Sequence, residues 1–350
     1  MKNYKYVVLV IILVALIAGV LSYRSCRQPE SENTLTVAMA PYQDMAMLVN
    51  IQNLGLEKKY GLKVNLTSMD WENIVPSIAS SGQTADVGFA SFIEYLNKEK
   101  NLNTTGDDPV LFIYPAYIFK GGAFVTFKQD VPTLTSDKIN DPNAVKSFLG
   151  KKIGAQKSSV YEMMIFSLAR RANISIDSIK IIDTPLNDGI LAAQSGSLDI
   201  AEAGLTQMTE ARKQGGRVVL TMEDLGFADI TGFICRKSTL DKKRPEIEKL
   251  IKMWFESVQY VMSDIDHNSS YSLKYLDSKA STKYTLQQYK DALTQEYFPV
   301  SADEANSNIL ADKGKYSYHR IGEDVRQYLL QVKKVPQPPA VPSFITIQNK

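Results

Sequence analysis

The chain has 350 residues, 44% of them hydrophobic and 22% charged. That is ordinary globular composition, long enough for two domains with cores of their own, and it excludes a disordered segment or a fibre. Lys and Arg (40) nearly balance Asp and Glu (38), and no basic cluster is interleaved with aromatic residues, so nucleic acid is excluded as the main partner.

At the N-terminus Lys2 and Lys5 precede an unbroken apolar run, 7–21, that ends at Ser22 and Arg24. This is the pattern of an export signal or a membrane anchor. The run is short for a spanning helix but adequate with Tyr6, Ser22 and Tyr23 at the interfaces. No small-residue cleavage site follows it, which favours retention. Cys26 stands where a lipidated cysteine would, but behind bulky Tyr23 and charged Arg24, so cleavage, retention and lipidation all stay open. Residues 1–34 are read as anchor or signal segment plus linker, placing the rest outside the cytoplasmic membrane. Cys235 sits in the apolar "ITGFICRK" and is expected to pack as a small hydrophobe. No disulfide is expected, because pairing with Cys26 would tie a strand to a membrane stalk.

After the linker, "TLTVAMA" alternates as a strand and "PYQDMAMLVNIQNLGLEKKYGL" reads as loop and helix stopped by Gly61. "KVNLTSM" is the next strand, and "WENIVPSIASSGQTADVGFAS" gives a short helix and a strand around Val87. The order then repeats: "KKIGAQ" strand, "SSVYEMMIFSLARRANI" helix, "SIKIIDT" strand, "PLNDGILAAQSGS" helix, "LDIAEAG" strand. Alternation of this kind predicts two α/β lobes with parallel sheets. Asp86 and Asp199 hold corresponding places in the two halves and are read as bonding local backbone. "GGAFVTFK" and "ADITGFICRK" supply two extended crossings, so 35–125 with 230–350 form lobe 1 and 126–229 form lobe 2. From Lys237 onward apolar residues at helical spacing predict helices returning to lobe 1, with Trp254, Phe255 and Tyr260 in its core.

Ligands of open parallel sheets bind beyond the carboxyl ends of the strands. The cleft is therefore expected along the loops 41–44, 68–71, 88–91, 114–117, 156–159, 184–187 and 202–205. Within them Tyr42, Gln43, Trp71, Phe89 and Tyr117 of one lobe, and Ser158, Ser159, Asn187 and Glu202 of the other, are the expected ligand contacts. Ser158 and Ser159 stand where a helix begins. They either cap its orphan N–H groups or join those groups in holding an anion. The second is preferred, which points to a small organic anion with an apolar part. Asp44, Asp70 and Glu202 in neighbouring loops keep a cationic amine or a pyrimidine as the alternative.

The blocks "TLTVAMAPYQDMA", "GLEKKYGLKVNL", "SIASSGQTADVGFAS", "LGKKIGAQKSSVYEMMI" and "LAAQSGSLDIAEAG", in this order and spacing, resemble the bacterial extracytoplasmic solute-binding proteins of the sulfonate, taurine, nitrate and thiamine-pyrimidine group. The resemblance implies a two-lobe type II periplasmic-binding-protein fold with two hinge crossings and a helical C-terminal region. It also implies a monomer that captures a solute, a sulfonate-like anion first, for an ABC importer with a separate permease and ATPase. The group's architecture also resembles thiamine-pyrimidine synthases, which use an active-site His and a cysteine-rich motif. Here that motif is missing, and His267 and His319 fall outside the expected cleft loops. No G-x-S-x-G, P-loop or H-E-x-x-H stretch occurs. A binder without cofactor or metal is thus expected rather than an enzyme. A ligand-sensing module is a further alternative, though such proteins normally carry an effector on the same chain.

Overall fold

The computed structural model describes residues 33–350, except 81–83, 104–107, 281–282, 334, 341 and 348–350. The chain divides into Met1–Thr34 and Leu35–Lys350. The anchor, the linker and Cys26 lie outside the described residues, and among those described no helix is long and apolar enough to cross a membrane.

The first sheet contains β1 (Thr34–Met39), β2 (Lys63–Ser68), β3 (Val87–Ser91), β4 (Val110–Phe119) and β10 (Asp229–Arg236), in the order β2-β1-β3-β10-β4. The second contains β5 (Ala123–Thr126), β6 (Ile153–Gly154), β7 (Ile181–Ile182), β8 (Ile200–Ala203) and β9 (Arg217–Thr221), in the order β7-β6-β8-β5-β9. β1 runs parallel to β3, and β6 runs parallel to both β7 and β8. β10 and β5 each oppose both their neighbours. Strands covered by helices on both faces read as continuous apolar runs rather than alternating ones, and β3, "VGFAS", is buried at every position.

Two strands were not anticipated. Residues 114–117, expected as a cleft loop, lie in the middle of β4, with Tyr114 and Tyr117 buried. Pro115 disguises the strand, since proline cannot donate to a ladder and is confined to edges and bulges. It sits at such an irregularity: Thr231 pairs with Tyr117 and Gly232 with Pro115, skipping one residue of β4. β9 is the other, a short strand at the sheet's edge paired with β5. Gly232 is required where it stands, because a Cβ there would come within 2.4 Å of the Phe112 ring and 2.5 Å of the Tyr114 carbonyl oxygen.

Asp86 and Asp199 do equivalent work in the two sheets. Asp86 accepts from the Thr36 N–H at 2.9 Å and Asp199 from the Lys152 N–H at 2.7 Å, each holding the start of the neighbouring strand. The chain crosses from β4 to β5 through 120–122 and returns to β10 through 226–228. The helix Lys237–Ser263 packs Trp254 against Phe89 and Phe233, with ring centroids 5.6 and 6.2 Å away, and the Trp254 indole donates to the Ala116 carbonyl at 3.1 Å. Phe255 is buried beside it and Tyr260 half-buried. The last helix, Tyr318–Gln331, packs on Phe92–Leu102 of the first lobe but also reaches the second: the Tyr328 and Phe166 rings lie 5.5 Å apart, and Lys333 Nζ is 2.7 Å from Glu162.

Candidate functional site

The carboxyl ends of the two sheets face a common cavity. The first lobe contributes Tyr42, Gln43 and Asp44 after β1, Trp71 after β2, and Ser91 and Glu94 after β3. Tyr117 and Phe119 of β4 and Asp229 and Thr231 of β10 complete that wall. The second lobe contributes Gln156, Val160 and Tyr161 after β6, Leu186 after β7, and 204–207 after β8. This is where open α/β sheets place ligands.

Local structure fixes several of these side chains. Ser91 ends β3 and caps the helix Phe92–Leu102 by accepting from the Glu94 N–H at 3.0 Å, while its hydroxyl donates to Asp229. The Tyr117 hydroxyl donates to Asp44 at 2.6 Å, and the Met45 N–H to the other Asp44 oxygen at 2.9 Å. Hydrogen bonds also span the lobes: Thr206 donates to the Gln43 amide oxygen at 2.7 Å, Gln156 to Glu72 at 3.0 Å, and the Asn97 amide to the Ser158 carbonyl at 2.9 Å.

The charge of the lining is one-sided. Asp44, Glu94 and Asp229 border the cavity, and among the described residues no Lys or Arg does. Burial pushes all three carboxyls up, opposed by the hydrogen bonds each accepts. For Asp229 the result is about 7, burial prevailing over the Ser91, Ile93 and Ile230 donors. Lys98, 3.9 Å from Glu94, partly offsets its burial.

Of the residues expected from the sequence, Tyr42, Gln43, Trp71 and Tyr117 line the cavity. Phe89 does not; it is fully buried in the core, its ring 4.8 Å from Phe233. Glu202 is a β8 residue behind Gln156, whose N–H it accepts at 2.8 Å; burial raises its carboxyl well above the ordinary range. Asn187 is exposed and accepts from the Gln207 amide at 2.8 Å, so it positions a lining residue from outside.

Ser158 and Ser159 also lie outside the lining. Ser159 is the N-cap of Val160–Arg171, accepting from the Tyr161 N–H at 3.2 Å and donating to the Gln156 carbonyl at 2.7 Å. Ser158 holds a left-handed φ of 63°, and its N–H donates to the Glu162 carboxylate at 2.7 Å. The positive end of this helix thus already faces a carboxylate of its own. The expected anion contacts at Ser158 and Ser159 are therefore taken up by bonds within the protein.

Sequence reasoning placed Ser91 in an expected cleft loop without naming it as a contact, and passed over Glu94, Tyr161, Thr206, Gln207 and Asp229. One signal was available: "SFIE", Ser91 to Glu94, is a capping sequence that places a carboxylate one turn past a strand end. Asp229 opens a crossing strand, and only the folded return of that strand brings it to β3. Among the described residues no group of three or more His, Cys, Asp or Glu is placed to hold a metal ion.

Residues 124–267 match the family described as "NMT1/THI5 like". No curated protein matches the chain significantly in sequence. Among solved structures, the periplasmic aliphatic sulphonate binding protein SsuA from Escherichia coli superposes with a TM-score of 0.61 at 15% identity, over 87% of this chain and 94% of that one. The chain has the periplasmic-binding-protein fold. Two further structures with this fold agree. The alkanesulfonate-binding protein SsuA from Xanthomonas axonopodis pv. citri, bound to MOPS, has a TM-score of 0.58 at 14% identity, covering 78% and 88%. The periplasmic nitrate-binding protein NrtA from Synechocystis PCC 6803 has a TM-score of 0.58 at 13% identity, covering 89% and 91%. The resemblance drawn from the sequence blocks is borne out in the family match and in this fold.

Proposed function

We propose that the chain is the extracytoplasmic substrate-binding component of an ABC importer, a monomer tethered by its N-terminal segment that delivers one small solute to a membrane permease driven by a separate ATPase. The observation that carries this reading is the cavity at the facing strand ends, lined from both lobes and joined across by the Thr206–Gln43 bond. The names of the structural relatives, sulfonate and nitrate binders among them, support the same class of role. The synthase-like alternative is disfavoured because neither histidine lines the cavity; His267 and His319 are exposed beside Asp264 and Asp312. The sulfonate favoured from the sequence fits the lining poorly, since an anion would meet three carboxyls and no cation there. The amine or pyrimidine alternative fits it better.

The lobes are expected to hinge about 120–122 and 226–228 when solute binds. Spin labels at Leu191→Cys and Tyr271→Cys, both exposed and on opposite lobes, placed on the full chain with Cys26→Ser, report the motion. A change in their distance on saturation with a solute found by thermal shift supports the reading. An unchanged distance, or no solute that raises the melting temperature, overturns it; a true ligand at a hundred times its dissociation constant adds about 2.7 kcal/mol.

A further inference from the structure

We infer that the cavity selects a positively charged solute, an organic ammonium ion whose apolar or aromatic body carries a hydrogen-bond acceptor; the inference rests on the solute-binding reading above. Three features of the cavity converge on it. Asp44 and Asp229, 5% and 2% exposed, and the largely buried Glu94 border the cavity without a lining Lys or Arg to balance them. Where these carboxyls are ionised, such a site repels a sulfonate and rewards a cation, whose charge-assisted bonds to carboxylates are about twice as strong as neutral ones. Tyr42 and Trp71 line the same space and offer aromatic faces, which attract ammonium groups further and cover an apolar body.

The third feature is independent of charge. Gln43 is 1% exposed and lines the cavity, its amide oxygen is taken by Thr206, and its amide nitrogen has no partner among the described residues. A buried donor left unmade is costly, so the amide nitrogen of this lining residue is the donor a ligand oxygen would satisfy. A hydroxyl or carbonyl oxygen on the solute satisfies it. The same bond fixes the solute between lobes, because Gln43 belongs to one and its Thr206 partner to the other.

The test uses three probes that share one benzene ring, carrying an aminomethyl, a hydroxymethyl or a sulfonate group: benzylamine, benzyl alcohol and benzenesulfonate. Each is titrated calorimetrically against the full chain in a non-ionic detergent. Benzylamine is expected to bind at least tenfold more tightly than the alcohol, and benzenesulfonate not measurably. Asp44→Asn and Glu94→Gln are each expected to weaken benzylamine tenfold to a hundredfold, with melting temperatures confirming that both variants fold. Benzenesulfonate binding as tightly as benzylamine, or benzylamine binding unaffected in both variants, overturns the inference while leaving a solute binder in place. Failure of all three probes, together with no spin-label response to any small solute, removes the solute-binding reading as well.

Discussion

Replacing Asp229 by Asn is expected to stabilise the protein above neutral pH and to leave it unchanged in acid. Burial raises the Asp229 carboxyl to about 7 from an ordinary 3.8, with Glu94 adding to the effect and the Ser91, Ile93 and Ile230 donors opposing it. An acid held above its unfolded value binds its proton more tightly when folded. Its contribution is therefore complete below about pH 4 and is lost as the pH rises through about 7. The gap between the two values corresponds to about 4 kcal/mol, an upper figure because the surroundings relax. Asn suits the site: its carbonyl oxygen can accept from the Ile93 and Ile230 N–H groups as the carboxylate oxygen now does, at 3.2 and 2.7 Å, and Ser91 can turn its hydroxyl to accept from the amide. Urea midpoints of the full chain and the variant at pH 4 and pH 8 decide the matter. The variant should match the parent at pH 4 and exceed it by up to a few kcal/mol at pH 8. Parallel pH profiles would refute the reasoning, since they would mean the buried carboxyl costs the fold nothing when ionised.

Ser159→Ala should lower stability by about 1 kcal/mol through loss of the cap on Val160–Arg171 and leave solute affinity intact by calorimetry; a tenfold weaker affinity would return the hydroxyl to the site. Gly232→Ala should destabilise the first sheet by about 1–3 kcal/mol or more, because the added methyl meets the Phe112 ring and a backbone carbonyl. An unshifted urea midpoint would contradict that packing.

Most of the architecture could be read from the sequence because both lobes repeat strand and helix with clear periodicity. The strands at Thr34, Lys63, Val87, Ile153, Ile181 and Ile200 all begin within blocks marked by apolar residues between polar turns. β4 was lost to Pro115, whose bulge is visible only once β10 is paired against it. The site was legible by position but not by chemistry. Loops after strands gave Tyr42, Gln43, Trp71 and Tyr117, but a one-dimensional reading could not tell that the Phe89 side chain alternates into the core or that Glu162 occupies the helix start beside Ser158. Asp229 and Glu94 lie 135 positions apart in the chain, and only the return of β10 to β3 makes them neighbours, so the sign of the cavity's charge was not available from any single block.

The insertion of one sheet within another also sets an order of assembly. All strands of the second sheet lie between Ala123 and Thr221, so a chain emerging from a ribosome or an export channel has that sheet complete while the first still lacks a central member. Among the described residues β4 pairs with no strand but β10, apart from a single bridge between Ile118 and Tyr297, and β3 meets β10 through Ser91 and Thr231. Until Arg236 has emerged, β3 and β4 each present an uncovered edge, the kind of surface that recruits other chains. Contacts that close so late in sequence are slow to form. The first lobe is therefore the part of the newborn chain most exposed to wrong pairing, and mutations that delay β10 should appear as aggregation during synthesis.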